Sequence, residues 1–136
     1  MVEMQRAADD EHVQPDAELR DRVTGSPVLA ISTHLSLTSP RARLRSVAAI
    51  RALVAERAMP AVVMGDLNAG EGSPTVRALL EGELLRDAWA SADDRATQRL
   101  ATRPAYRTPG ERGRRIDWIL VGDGARVRRA AIDGAL

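Results

Sequence analysis

The sequence predicts an α/β chain built on a mixed sheet, and three observations carry that expectation. Two short apolar runs rich in β-branched residues, Val28-Leu29-Ala30-Ile31 and Ala61-Val62-Val63-Met64, flank a segment of helical spacing, which is a β-α-β pattern. A third run, Ile116-Asp117-Trp118-Ile119-Leu120-Val121, leads into Gly122-Asp123-Gly124, a hairpin-like turn, so the end of the chain reads as antiparallel. Composition agrees: of 136 residues, 44% are apolar and 29% charged, a globular balance rather than a disordered one. The length suits one domain.

The elements follow in chain order. Residues 1–22 hold seven acids against three Arg and few large apolar side chains, which predicts an acidic, flexible lead-in. The domain proper is expected over 23–136, where 17 Arg face 12 acids. Val23-Thr24-Gly25-Ser26 reads as a turn, and Pro27–Thr33 as a buried strand. Ser39-Pro40 starts a helix, with Ser as N-cap and Pro at the first helical position. Leu44, Val47, Ile50, Val54 and Ala58 give that helix an apolar stripe, and Pro60 ends it. Gly65 closes the second strand. Ser73-Pro74 repeats the helix start, with Val76, Leu79 and Leu80 on its apolar side. Leu84–Trp89 fits either helix or strand, and Asp93–Pro104 is polar and loop-like. Arg126–Ile132 offers a partner strand after the last turn.

Composition also excludes chemistry. There is no Cys, so disulfides, thiolate catalysis and Cys-ligated metals are out. A metal would need Asp, Glu, Asn, His and water, which suits a hard ion. No apolar run reaches the ~18 residues of a membrane span, and the start lacks the basic-then-apolar pattern of a signal peptide. A cytoplasmic chain with no stable membrane insertion is the expectation. All 20 basic residues are Arg, and the aromatics are Trp89, Tyr106 and Trp118, with no Phe. The core must therefore be Val, Leu, Ile and Ala.

Polar residues that core packing does not require sit at three strand ends. His34 follows the first run; it can be a packed residue or a functional imidazole. Asp66 and Asn68 follow the second run as Gly65-Asp66-Leu67-Asn68-Ala69, where they can serve the turn or a ligand. Asp117 interrupts the third run. A carboxylate buried in a strand costs several kcal/mol unless paired, on the order of the penalties known for buried ions. It can pair with Arg115 or orient an imidazole. Arg112, Arg114 and Arg115 cluster beside it, as a solvated loop or as phosphate contacts.

Taken together and in this order, Thr33-His34-Leu35, Gly65-Asp66-Leu67-Asn68 and Arg115-Ile116-Asp117-Trp118-Ile119-Leu120 resemble the endonuclease/exonuclease/phosphatase superfamily, metal-dependent phosphoesterases of the deoxyribonuclease I type. The resemblance covers about Pro27 to Ile132. It implies a partial, truncated four-layer α/β sandwich with a mixed sheet, the C-terminal half of the family's domain. It further implies Mg²⁺ or Mn²⁺ as cofactor and a phosphate-ester substrate drawn from nucleic acid, phospholipid head groups or sugar phosphates. His34, Asp66, Asn68 and Asp117 would be the catalytic set. His34, Asn68 and Arg115 would contact phosphate, and Asp66 and Asn68 the metal. The family's closing Ser-Asp-His and an earlier metal-binding Glu have no counterpart, and the second His of the chain is His12, in the lead-in. The expectation is a phosphoesterase that is incomplete in this chain, with self-association through exposed sheet surface. The alternative is an inactive fragment that binds phosphate or nucleic acid; the scarcity of stacking aromatics argues against a dedicated nucleic-acid binder.

Overall fold

The computed structural model describes residues 16–98, 101–103 and 113–132. Strand β1 (Asp16–Arg20) turns through Asp21–Ser26 into β2 (Pro27–His34), and helix α1 (Pro40–Arg57) leads to β3 (Ala61–Asp66). Helix α2 (Pro74–Leu80) is followed by a 3-10 turn, the short strand β4 (Leu85–Asp87) and helix α3 (Ala88–Ser91). The order ends with β5 (Asp94–Arg95), β6 (Asp117–Gly122) and β7 (Arg129–Ala130). Five strands form one sheet in the order β1-β2-β3-β6-β4. The β2–β3 pair is parallel, joined by α1, and the other pairs are antiparallel. The fold is thus mixed α/β.

Both Ser-Pro pairs start helices for the expected reason. Ser39 Oγ accepts from the Ala42 amide at 3.1 Å and Ser73 Oγ from the Val76 amide at 3.3 Å, satisfying N–H groups that have no partner within the helix. The stripe of α1 buries Val47, Ile50 and Val54. Leu44 stays 42% exposed, and Ala58 is the left-handed cap, its amide donating to Val54 O. The helices pack on the sheet face that carries Leu29, Ile31, Val63 and Leu120, and Val76, Leu79 and Leu85 complete this core. Alternation along each strand sends its other side chains to the opposite face. There Leu19, Met64 and Ile119 are at least two-fifths exposed or close to it, at 40%, 39% and 52%.

Two expectations are corrected. Residues 16–20, read as part of the flexible lead-in, form β1, paired along its whole length with β2. An edge strand with one open face can be mostly polar, so composition concealed it. The strand expected over Arg126–Ile132 does form at Arg129–Ala130, but it pairs in parallel with β5 instead of β6. Both edges of β6 are already occupied, by β3 and β4. No helix among the described residues is long and apolar enough to cross a membrane.

Candidate active site

Strand register assembles the polar groups. His34 lies opposite Asp66 across the parallel β2–β3 pair, and Asp117 lies opposite Asp66 across the antiparallel β3–β6 pair. Register partners project from the same face, so the three side chains leave the sheet side by side on the face that the helices do not cover. His34 Nε2 is 3.6 Å from Asp66 Oδ2. The imidazole is 76% exposed and the carboxylate 31%, so the ring reaches solvent while Asp66 is held at the sheet end.

The turn after β3 fixes Asp66 and Asn68 to each other. Asp66 Oδ1 accepts from the Asn68 amide at 2.7 Å, and Asn68 Nδ2 donates to Leu35 O at 2.7 Å. Asn68 has φ +46°, the left-handed conformation that Asn tolerates better than most residues. The Leu35 amide donates to Asp66 O at 2.9 Å, and the Leu67 amide to Ile116 O at 2.8 Å. The turn is thereby tied to the ends of both neighbouring strands. Gly65 has φ +144°, and a Cβ there would fall on the Thr33 carbonyl oxygen. Glycine is what lets the two parallel strands meet just before His34 and Asp66.

Asp117 and Arg115 sit elsewhere than their alternatives suggested. Asp117 is exposed, so it carries no burial penalty, and its amide donates to Thr102 Oγ1 at 3.0 Å. Arg115 does not pair with it. The Arg115 guanidinium, 6% exposed, makes two bonds to the Asp87 carboxylate, at 2.8 Å to Oδ2 and 2.7 Å to Oδ1. The fork expected to grip phosphate oxygens is instead engaged on a carboxylate here. Arg114 is exposed, and Arg112 and His12 lie outside the described residues. Sequence reasoning missed Asp87 and Thr102. Thr102 Oγ1 accepts the amides of both Ile116 and Asp117, and Asp87 stands 28 residues before its partner; no local pattern marks either.

A groove of roughly 700 Å³ opens on the helix side, lined by Arg77, Asp87 and Trp118 among others. None of the four expected catalytic residues lines it. Among the described residues no group of three His, Asp or Glu gathers to cage a metal. Asp66 and its register partner Asp117 carry hard oxygen donors of the kind Mg²⁺ takes, one or two carboxylates with water and substrate oxygens completing its shell.

A mixed sheet thus brings an imidazole, two carboxylates and an amide to neighbouring strand ends. The endonuclease/exonuclease/phosphatase family pattern matches residues 5–135, and the chain belongs to that family. Among solved structures it is similar to an endonuclease/exonuclease/phosphatase protein from Bacteroides vulgatus, at 26% identity and TM-score 0.79, covering 90% of this chain and 48% of that one. It is similar also to a mannosyl-6-phosphatase from Bacteroides thetaiotaomicron, at 21% identity and TM-score 0.76, covering 92% and 49%. A sphingomyelinase C from Streptomyces griseocarneus shares the fold at 21% identity and TM-score 0.57, covering 90% and 48%. The chain spans about half the length of these structures. A comparison with curated proteins finds no match.

Proposed function

We propose that this chain takes part in hydrolysis of a phosphate ester assisted by Mg²⁺ or Mn²⁺, with His34, Asp66, Asn68 and Asp117 as the groups that meet the substrate. The observation that carries the reading is the register: His34, Asp66 and Asp117 are consecutive partners across three strands, with Asn68 on the adjoining turn. In-line attack on phosphorus needs an oriented water and donors on the phosphoryl oxygens. Asp66, half-sheltered and fixed by the Asn68 amide, orients the water and accepts its proton as the water oxygen bonds to phosphorus; the P–O ester bond breaks and the departing alkoxide takes a proton from solvent. His34, solvent-exposed at the strand end, donates to a phosphoryl oxygen. An Asn amide has two N–H donors; one bonds Leu35 O, and the other serves the phosphate. Asp66 and the Asn68 side-chain oxygen, with Asp117 alongside, would hold the divalent ion, which would supply charge neutralisation at the phosphoryl oxygens.

The substrate class stays broad: nucleic acid, phospholipid head group and sugar phosphate all offer the same ester to such a site. A second reading has the chain bind phosphate and turn nothing over. One assay separates the two. Bis(p-nitrophenyl) phosphate and p-nitrophenyl phosphate are incubated with Mn²⁺ and either the wild type or Asp66→Ala. Slow turnover that falls about 10²-fold or more in the variant supports hydrolysis, by the scale of losing one preorganised group. Phosphate binding without turnover in either protein supports the second reading. Turnover equal in the two proteins overturns the site.

A further inference from the structure

The Arg115–Asp87 pair raises a question that stability does not answer. Two ions are buried, with side chains 6% and 12% exposed. Such a pair often adds little over well-packed apolar residues, because desolvation offsets the attraction. What it does supply is direction. A guanidinium held by both carboxylate oxygens has a fixed plane. Here Arg115 Cζ lies 4.0 Å from the centroid of the Trp118 ring, so the cation covers the indole. The indole Nε1, in turn, donates to Ala69 O at 3.0 Å in a buried bond. Ala69 is the last residue of the turn that carries Asp66 and Asn68. Asp87 is itself anchored, since its Oδ1 also accepts the Trp89 amide at the start of α3.

We infer that Arg115, clamped by Asp87 and stacked on Trp118, is a positioning residue that locks the Asp66–Ala69 turn from beneath the sheet. The chain of contact runs Asp87, Arg115, Trp118, Ala69, and it ends one residue from Asn68. Arg115 also precedes Ile116, whose carbonyl receives the Leu67 amide, so both ties on the turn leave the same three residues of chain. The assignment rests on Asp66 and Asn68 being the reacting groups, but the lock itself is a property of the folded chain.

The test is amide hydrogen exchange by NMR on the full chain, with melting temperature measured alongside. Trp118→Phe keeps a ring for Arg115 and removes the N–H; Arg115→Met keeps length and removes the clamp. In both, exchange at Leu67 and Asn68 is expected to rise about tenfold or more, a local opening. Exchange at Ile31 and Val63, in the sheet interior, is expected to stay within about twofold of wild type. Unchanged exchange at Leu67 and Asn68 in the folded variants overturns the proposal. So does a rise of equal size throughout the sheet, which marks a merely structural role. A local rise in Trp118→Phe without one in folded Arg115→Met removes Arg115 from the lock. If Arg115→Met does not fold, Asp87→Asn, which keeps the volume and weakens the clamp, takes its place. Exchange needs neither substrate nor metal, so a chain that hydrolyses nothing in the assay above leaves this result decisive.

Discussion

The two faces of the central sheet are made by the same strands, yet they differ in almost every respect. One face meets α1 and α2 and is sealed: Leu29, Ile31, Val63 and Leu120 are each 1% exposed or less. The other carries Leu19, Met64 and Ile119 open to solvent, and at its end His34, Asp66 and Asp117. The first face holds the packed core, and the second carries the residues proposed to meet substrate. The locking contacts of Trp118 connect them, because its side chain belongs to the sealed face while its neighbour Asp117 belongs to the open one.

The sharpest way to break this comparison is to truncate two adjacent residues of β6. Leu120→Ala is expected to destabilise the fold by roughly 2–5 kcal/mol, the range for deleting a buried Leu side chain. Urea unfolding would measure it, and a cost near zero would show that the helices do not seal that face. A smaller effect is expected at the β1–β2 turn. The Thr24 and Val23 amides and the Thr24 hydroxyl all donate to Asp21, which holds its carboxyl below the usual value of 3.8. A depressed folded pKa stabilises above the unfolded value and is lost as pH falls through the folded one. The gap in melting temperature between wild type and Asp21→Ala should therefore be full at pH 6 and shrink below about pH 4. A gap independent of pH would mean that the turn does not need the charge. Smallest of all is Ile119→Ala, expected within about 0.5 kcal/mol of wild type because the side chain is already half in water. A loss as large as that of Leu120→Ala would mean that something covers the open face.

The same contrast explains what the sequence could reveal. β2, β3 and the two longer helices were legible, because apolar runs and Ser-Pro caps are local signals. The strand-end motifs were legible as well, since Gly65-Asp66-Leu67-Asn68 and Arg115-Ile116-Asp117 are contiguous. The face assignment of Asp117 was not. Ile119 is apolar and exposed, so Asp117-Trp118-Ile119-Leu120 mimics a run buried on both sides, although alternate residues face water. β1 was hidden for the converse reason, a polar composition on an edge. The partnership of Arg115 with Asp87 is purely tertiary, set by β4 pairing with β6.

The ladder that sets His34, Asp66 and Asp117 side by side also makes their spacing a stepped quantity. Neighbouring strands lie about 4.8 Å apart, and a strand can shift along its partner only by whole residues, each step turning every side chain over. Evolution or engineering cannot therefore detune this site by small backbone drift, because intermediate separations have no hydrogen-bonded state to occupy. Fine adjustment has to come from side-chain reach, as in Asp66→Glu, which extends the carboxylate by one methylene while the steps beneath it stay where they are.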